Sequence, residues 1–196
     1  MKKIILASSS PYRRALLTRL GLPFDSISPD IDETALENEG PAALVSRLAY
    51  QKAQVIAQDH PDAIIIGSDQ VATINNEILT KPGNIDNAYR QLATCSGNTV
   101  TFYTSLCVLD GSTGEQRKVV EPFIVGFREL SEQQIMRYLE IEQPFDCAGS
   151  FKSEGLGVTL FTHLSGRDPN SLVGLPLIEL TSILQGLGLD PLGQAH

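Results

Sequence analysis

Hydrophobic and polar positions along this chain follow strand and helix periods in turn. Residues 3–7 have the pattern of a short buried strand, with four apolar residues after Lys3. The apolar positions Leu16, Leu17 and Leu20 then follow a helical spacing. A second apolar run at 63–66 is continuous, as expected of a strand that is buried on both faces of a sheet. The pattern therefore predicts a strand and a helix at the start of the chain and a second buried strand later.

The rest of the chain continues this mixture of helices and strands. Ser, Asn and Pro at the starts of the helical patterns, and Gly near their ends, mark the boundaries. No internal repeat or linker interrupts the pattern, so we expect one α/β domain over residues 1–196 with a mixed sheet. Further helices are predicted from Pro41 to about Gln58, from Asn84 to Thr94, from Ser131, and from Pro176 to near Gly186; further strands are predicted at 24–28, 99–109 and 118–127, with a hairpin turn at Asn75 and Asn76 between strands 71–74 and 78–79.

Composition limits the functions that are open to this chain. The net charge of −8 over 196 residues argues against a nucleic acid polymer as a partner, because affinity for a phosphate backbone comes from clustered Lys and Arg. No segment approaches the roughly 20 apolar residues of a membrane span. Three widely spaced cysteines indicate free thiols and a cytoplasmic location. The three histidines are scattered, so we expect any metal to be a hard ion such as Mg²⁺ held by carboxylates.

The segment between the first strand and the first helix has the composition of an anion site. Ser10 suits the N-cap position, Ser8 lies two residues before it, and Pro11 suits the first helical position. Arg13 and Arg14 lie in the first turn, where they oppose the helix dipole and do not stabilise the helix. A bound phosphate would explain them, since the free N–H groups at a helix start also bind anions.

Asp69 is the strongest candidate for a catalytic residue. It follows the buried run 63–66, and we place it at the carboxyl end of that strand, where α/β proteins hold their ligands. A turn aspartate that caps the strand would look the same. The small residues Gly67 and Ser68 favour the catalytic interpretation, because they allow a ligand or metal ion to approach the backbone closely.

Asp32 and Glu33 follow the second predicted strand in an acidic loop. Such a pair is commonly a solvated turn. Alternatively, one of the two joins Asp69 in holding Mg²⁺, since Mg²⁺ on a triphosphate uses one or two carboxylates together with phosphate oxygens and water.

Two lysines complete a set of four cations in an otherwise acidic chain. Lys52 lies on the apolar stripe of the helix that begins at Pro41, so it either extends to the edge of the core or points into a cleft. Lys81 precedes a proline and is either a surface residue or a phosphate ligand. Together with Arg13 and Arg14, these lysines match the roughly four negative charges of a triphosphate.

Several common nucleotide-binding and hydrolase motifs are absent from the sequence. It contains no G-x-x-x-x-G-K-[ST], no G-x-G-x-x-G after a strand and no G-x-S-x-G. A series of short motifs instead resembles the Maf family of nucleoside triphosphate pyrophosphatases, and the match covers nearly the whole chain. The motifs are Ser8-x-Ser10-Pro11 with Arg13, Asp32-Glu33, Lys52-Ala53, Gly67-x-Asp69, Lys81-Pro82, Ser96-Gly97, Ala148-Gly149 and Gly174-Leu175-Pro176-Leu177.

The resemblance implies a fold, a reaction and roles for the matching residues. The fold would be α/β, an elongated mixed β-sheet flanked by helices with two lobes around a deep cleft, of the Maf/ITPase-like type. The reaction would be hydrolysis of the α–β phosphoanhydride of a nucleotide with a divalent metal, giving the monophosphate and diphosphate. Asp69 would act as the general base, and Glu33 would help to hold the metal. Phosphates would be bound by Arg13, Lys52 and Lys81. The family also suggests a homodimer.

Three positions differ from the pyrimidine-nucleotide branch of that family. Tyr12 stands where that branch has Arg, Gln70 where it has Thr, and Glu154 where it has Gln. This set resembles the branch that acts on 7-methyl-GTP. The methylated base is positively charged and is attracted to an aromatic face such as that of Tyr12, while a Glu154 carboxylate accepts both donors of a guanine edge. Alternatively, Tyr12 packs on its own helix and Glu154 pairs with Lys152.

The resemblance therefore implies a metal-dependent pyrophosphatase for 7-methyl-GTP. Two alternatives stay open. The chain is a pyrophosphatase for another modified or canonical nucleotide, or it is a nucleotide-binding regulator of cell division, since family members have been described as inhibitors of septum formation. Release of diphosphate from a panel of nucleotides would separate these three hypotheses.

Overall fold

The computed structural model describes residues 2–75 and 77–193, and these form a seven-stranded sheet with helices packed on both faces. The strands are β1 Ile4–Ala7, β2 Asp25–Ile27, β3 Ile64–Ile74, β4 Glu77–Leu79, β5 Thr99–Asp110, β6 Gln116–Phe127 and β7 Phe161–Ser165. The helices are α1 Pro11–Thr18, α2 Pro41–Asp59, α3 Ile85–Cys95, α4 Glu132–Glu142, α5 Pro169–Val173 and α6 Leu177–Gly186, with short 3₁₀ turns at Ala148–Ser150 and Leu156–Leu160.

The sheet is mixed, as the sequence indicated. Its strands lie in the order β2-β1-β3-β5-β6-β7, and β4 pairs with the far end of β3. β1 pairs in parallel with β2 and β3, whereas the other pairs are antiparallel. The predicted strands 99–109 and 118–127 correspond to β5 and β6, which form a long hairpin. This confirms the α/β class with a mixed sheet.

The apolar run at the start of β3 lies between two hydrophobic clusters. Ile64 and Ile66 pack with α1 and α6 on one face, and Ile65 packs with α2 on the other. All three side chains are fully buried, which confirms a strand covered on both faces. The division of the domain into two lobes stays a prediction.

A third hydrophobic cluster surrounds the far end of β3. Its centre holds four phenylalanines in edge-to-face contact: Phe102, Phe127, Phe151 and Phe161.

β3 is longer than the sequence indicated. The predicted strands 63–66 and 71–74 are one strand, because β5 pairs with it continuously over 64–73. The polar residues in between do not end the strand, since their backbone groups are paired within the ladder. Asp69 therefore lies inside β3, opposite Ser105, and the prediction that it ends its strand is wrong.

The parallel part of the sheet nevertheless ends beside Asp69. β1 stops at Ala7, which pairs with Gly67. Among the described residues, no strand pairs with this edge of β3 between Gly67 and Ala72, where pairing with β4 begins. Asp69 thus lies beside the carboxyl end of β1, next to a gap in the sheet. The gap adjoins the start of α1, which follows β1 closely in the chain.

Most predicted helix starts are confirmed. The Ser10 Oγ accepts a hydrogen bond from the backbone N–H of Arg13, and Pro11 occupies the first helical position. Asn84 caps α3 in the same way, and Ser131 caps α4 through a complete capping box.

Two elements were not predicted. β7 is a five-residue strand that follows a stretch rich in glycine, and α5 has only five residues, so neither shows a clear period in the sequence. The hairpin turn was predicted at Asn75 and Asn76. Asn75 adopts a positive φ of 49°, and Asn76 lies outside the described residues. Within 2–75 and 77–193, no helix is long and apolar enough to cross a membrane.

Candidate active site

A cleft of about 790 Å³ lies where β1 ends and β3 continues. Its walls are the start of α1, one face of α2, the middle of β3, the end of β4 and residues 146–154. Arg14 is exposed on α1 and does not line this cleft. Ten other site residues proposed from the sequence do line it: Ser8, Ser10, Tyr12, Arg13, Glu33, Lys52, Asp69, Gln70, Lys81 and Glu154.

Lys52 joins the two candidate carboxylates. Its Nζ lies 2.6 Å from the Oδ1 of Asp69 and 2.7 Å from the Oε1 of Glu33. Lys52 and Asp69 are buried, whereas Glu33 is exposed at the mouth of the cleft. Of the two interpretations of Lys52, the structure supports the one in which it points into a cleft.

Glu33, and not Asp32, belongs to the cleft. Burial alone would raise the pKa of the Glu33 carboxyl. The hydrogen bond and charge of Lys52, together with the charges of Lys81 and Arg13, outweigh burial, so the net pKa of Glu33 lies below its usual value. Asp32 accepts a 2.9 Å hydrogen bond from a backbone N–H of its own turn and does not line the cleft.

Arg13 enters the cleft from the first turn of α1. Its Nε donates a 2.8 Å hydrogen bond to the carbonyl oxygen of Gly174, just after α5. Burial lowers the pKa of the Arg13 guanidinium, while the charges of Asp69 and Glu33 act in the opposite direction. A guanidinium still stays protonated, because its ordinary pKa is so high. The bond to Gly174 uses only Nε, so the two terminal nitrogens are available to an anion.

The two predicted serines shape the loop before α1. The N–H of Ser10 donates to the Oγ of Ser8 at 3.1 Å, and the Oγ of Ser10 accepts from the N–H of Arg13 at 3.3 Å. In both bonds the hydroxyl is the acceptor, so each can still donate its own proton to a phosphate oxygen.

Tyr12 reaches across the cleft. Its hydroxyl lies 3.5 Å from the Oδ2 of Asp146 and 3.8 Å from the Sγ of Cys147. Burial, followed by the neighbouring Cys147 and Asp146, raises the pKa of the Tyr12 hydroxyl well above its usual value. The charge of Glu154 contributes to the same shift, so Tyr12 and Glu154 lie in the same part of the cleft. Packing of Tyr12 on its own helix is therefore not what the structure shows.

Glu154 is exposed at the other side of that region. Its Oε2 accepts a 3.2 Å hydrogen bond from the Ser153 hydroxyl. The Nζ of Lys152 donates instead to the carbonyl oxygen of Glu142 at 2.9 Å. Glu154 and Lys152 therefore do not form the ion pair that the sequence left open as an alternative.

Cys147 lines the cleft and is half-buried, whereas Cys95 and Cys107 are buried. The 3₁₀ turn after Cys147 buries Gly149 and Ser150 instead. Burial and the charge of Asp146 raise the pKa of the Cys147 thiol to about 11. The thiol is therefore protonated near neutral pH and is a poor nucleophile.

Gln70 binds to α5. Its Nε2 lies 2.8 Å from the Oγ1 of Thr104, 2.8 Å from the carbonyl oxygen of Ser171 and 3.0 Å from that of Leu172. An amide has only two N–H donors, so these three acceptors share them. A direct role for Gln70 in choosing the base stays a prediction.

Two further residues contact the site residues but carry little signal in the sequence. Asp146 faces Tyr12, and the only signal was an acidic residue just before the Ala148-Gly149 motif. Ser105 accepts from the N–H of Asp69 at 3.2 Å and donates to the carbonyl oxygen of Val45 at 2.5 Å, which connects β3 to α2. A serine inside a strand gives no sequence signal for this contact.

Glu33 and Asp69 fit a magnesium ion that binds together with a nucleotide. Mg²⁺ in such sites takes one or two carboxylates and completes its coordination with phosphate oxygens and water. In the part of the chain that the structure describes, no group of three or more His, Cys, Asp or Glu side chains could hold a metal ion. Glu33 and Asp69 are the two carboxylates that the cleft offers at this place.

Comparison with known sequences identifies the family. Residues 3–187 match the family of Maf-like proteins. The chain belongs to the Maf family. Among its relatives, the proteins named 7-methyl-GTP pyrophosphatase from Nitrosococcus oceani and Alcanivorax borkumensis are 57% and 58% identical to it, over 94% and 95% of this chain and 93% and 95% of theirs. A protein of the same name from Colwellia psychrerythraea is 53% identical over 99% of this chain and 97% of its own.

The Maf chain also shares its fold with a solved structure. The Staphylococcus aureus Ham1 protein matches with a TM-score of 0.56 and 14% identity, over 95% of this chain and 100% of that one. At this identity the similarity concerns the fold alone. It confirms the predicted α/β class of the Maf resemblance.

Proposed function

We propose that this protein hydrolyses 7-methyl-GTP to 7-methyl-GMP and diphosphate. The observation that carries the proposal is the arrangement of Asp69 and Lys52, which are 2.6 Å apart in a cleft that Arg13 and Lys81 also line. A carboxylate among several cations is what hydrolysis of a phosphoanhydride needs. Relatives that are 53–58% identical over nearly the whole chain carry the name of this activity.

The cationic side chains hold the phosphates. Arg13 is fixed by its Nε and offers its terminal nitrogens as a bidentate donor. Lys52 turns from Asp69 and Glu33 towards the phosphate oxygens, and Lys81 approaches from the end of β4. Positive charge in these positions offsets the negative charge that develops on the bridging and terminal oxygens in the transition state.

Asp69 acts on the attacking water. Its carboxylate orients the water and accepts a proton from it. The water oxygen forms a new bond to one phosphorus of the α–β linkage, and the bridging oxygen leaves with the other phosphorus. Glu33 and Asp69 would hold a bound Mg²⁺, which would supply charge neutralisation and polarise the phosphoryl group. The products are a nucleoside monophosphate and diphosphate.

The far end of the cleft selects the base. The ring of Tyr12 stacks on the cationic 7-methylguanine and gains roughly 0.5–2 kcal/mol from cation–π attraction. The Glu154 carboxylate accepts the two donors of the guanine edge. A uracil or thymine edge presents acceptors at these positions and is repelled.

The test is release of diphosphate from 7-methyl-GTP, GTP, ATP, UTP, CTP and dTTP in the presence of Mg²⁺. We expect 7-methyl-GTP to be hydrolysed with the highest kcat/KM. Asp69→Asn should keep the fold and lower kcat by roughly 10²–10⁴-fold. Asp32→Asn is the matched control, because Asp32 neighbours Glu33 but lies outside the cleft, and its activity should stay near that of the wild type.

Other outcomes of the same panel exclude the proposal. Preference for a different nucleotide would make the protein a pyrophosphatase of that nucleotide. Binding of nucleotides with no release of diphosphate would favour a nucleotide-binding regulator of cell division. Near-wild-type activity of Asp69→Asn would remove Asp69 from its catalytic role.

The proposed function also includes a location in the cell and an oligomeric state for the enzyme. We place the enzyme in the cytoplasm, because Cys95, Cys107 and Cys147 are all free thiols. We also propose a homodimer, on the resemblance to the Maf family. Light scattering coupled to size-exclusion chromatography would give a mass of one chain if the dimer does not form.

A further inference from the structure

We propose that the last turn of α5 positions Arg13 and Asp69 relative to each other. We call the carbonyl oxygens of Ser171, Leu172 and Gly174 the α5 bracket. The inference rests on the proposed function, because it assigns positioning residues for that reaction. Two elements that carry site residues, β3 and α1, both donate hydrogen bonds to this bracket.

β3 is attached to the bracket on both sides of Asp69. Ser68 and Gln70 precede and follow Asp69, so in a strand their side chains lie on the face opposite to that of Asp69. The Oγ of Ser68 lies 2.9 Å from the carbonyl oxygen of Gly174, and the Nε2 of Gln70 lies 2.8 Å from that of Ser171. Asp69 meanwhile points to Lys52 on α2. The flanking bonds therefore fix the backbone from which the carboxylate projects.

α1 is attached to the same bracket by Arg13. The Nε of Arg13 donates to the carbonyl oxygen of Gly174 at 2.8 Å. Gly174 thus accepts from Arg13 and from Ser68, which matches the two lone pairs of one carbonyl oxygen. A single acceptor joins a proposed phosphate ligand to the residue before the proposed general base.

Ser68 and the acceptor Gly174 are buried in this junction, and Arg13 is half-buried. Ser68 and Ser171 are fully buried, so water does not replace a lost bond easily. Ser68 has one hydroxyl proton, which the carbonyl oxygens of Gly174 and of Ser105, at 2.7 Å, share. Gly174 adopts a φ of 124°, a conformation that side chains rarely allow.

Displacement of the bracket should affect the chemical step more than substrate binding. Arg13 and Asp69 must hold the phosphate and the water in line, and misplacement by about 1 Å can cost about a hundredfold in rate. Lys52 and Lys81 do not contact the bracket in the described structure and would still bind phosphates. We therefore expect kcat to change while KM stays nearly constant.

The experiment is a double-mutant cycle on the full-length protein, with 7-methyl-GTP and Mg²⁺. Ser68→Ala should lower kcat about tenfold and change KM by less than about threefold. In an Arg13→Lys background, where the Nε donor to Gly174 is already lost, Ser68→Ala should lower kcat by about threefold or less. Ser112→Ala, in the turn between β5 and β6, is the matched control and should leave kcat unchanged.

A second variant keeps the test valid if Ser68→Ala does not fold. Ser68→Cys has a similar volume and a weaker donor, and it should recover part of the lost kcat. The melting temperature of each variant shows whether it is folded at the assay temperature.

The outcomes separate failure of the bracket from failure of the proposed function. If the wild type is active and Ser68→Ala lowers kcat by the same factor in the wild-type and Arg13→Lys backgrounds, the positioning role of the α5 bracket is wrong and the proposed function stands. Equal losses in kcat and in substrate affinity also overturn it. A wild type without pyrophosphatase activity on any nucleotide of the panel overturns the proposed function, and the bracket with it.

Discussion

The Nζ of Lys52 lies 2.6 Å from the Oδ1 of Asp69, and both side chains are buried. The same ammonium group lies 2.7 Å from Glu33. Two carboxylates that approach each other would repel, and the Lys52 ammonium between them offsets this repulsion. This relationship makes Lys52 both a stabilising residue and a residue of the proposed reaction.

Lys52→Met should separate these two roles. Methionine keeps most of the side-chain volume but removes the charge, so Asp69 and Glu33 lose their shared partner. We expect a loss of about 1–3 kcal/mol in the free energy of unfolding, less than for a fully buried ion pair because Glu33 is exposed. The kcat should fall by roughly 10²-fold or more. Urea denaturation and diphosphate release measure the two effects.

Lys118→Met is the control for Lys52→Met, since Lys118 is exposed on β6 and does not line the cleft. It should leave kcat unchanged and lower the free energy of unfolding by no more than about 0.5–1 kcal/mol, since the Lys118 ammonium lies 5.1 Å from the centroid of the Tyr50 ring. An Lys52→Met enzyme with normal kcat would exclude Lys52 from phosphate binding.

The pKa of Glu33 should depend on Lys52. In the folded protein this pKa lies below its usual value, although burial opposes the shift, because Lys52 donates to the carboxylate. The stabilising contribution of the pair is therefore present above the unfolded pKa of about 4.3 and is lost as the pH falls through the lower folded pKa. A carboxyl-carbon NMR titration should show a higher Glu33 pKa in Lys52→Met than in the wild type. Equal values in both proteins would contradict the ion pair.

Base selection should change when two residues are exchanged together. Tyr12→Arg with Glu154→Gln removes the aromatic face and the carboxylate that are proposed to bind 7-methylguanine. The double variant should lose activity on 7-methyl-GTP and gain activity on pyrimidine nucleoside triphosphates, measured as the ratio of kcat/KM values. Retention of the wild-type preference would show that these two positions do not select the base.

Gly67→Ala should disrupt the packing of α2 on β3. A Cβ at this position would lie 2.1 Å from the carbonyl oxygen of Ala49, so the backbone of α2 must move away. We expect destabilisation of about 3 kcal/mol or more, with a parallel loss of activity, because α2 carries Lys52. Gly186→Ala in α6 meets nothing within 4 Å and should leave stability unchanged or improved. Similar melting temperatures for both variants would refute the close approach.

Local patterns in the sequence were sufficient for several elements. The apolar residues 63–66 indicated a strand buried on both faces, because a run without alternation leaves no polar face for solvent. Ser10, Asn84 and Ser131 marked helix starts, since capping depends on residues within one turn. Lys52 was recognised as unusual because a lysine on an apolar stripe needs a partner or an exit to solvent.

Contacts between distant segments could not be obtained in this way. The length of β3 depends on pairing with β5, so the polar residues around Asp69 looked like the end of a strand. The bond between Arg13 and Gly174 joins residues 161 positions apart, and that between Tyr12 and Asp146 joins residues 134 apart. No local pattern encodes such pairs.

The sequence by itself determined the residue types at the site and the local structure around most of them. Capping, hydrophobic period and the order of short motifs act over a few residues each, so they can be read along the chain. Only the tertiary structure decided that Glu33 and not Asp32 faces Lys52, that Arg14 lies outside the cleft, and that Gly174 connects Arg13 to the strand of Asp69. These relationships depend on how β1, β3, α1 and α5 pack together, and packing is set by contacts across the whole domain.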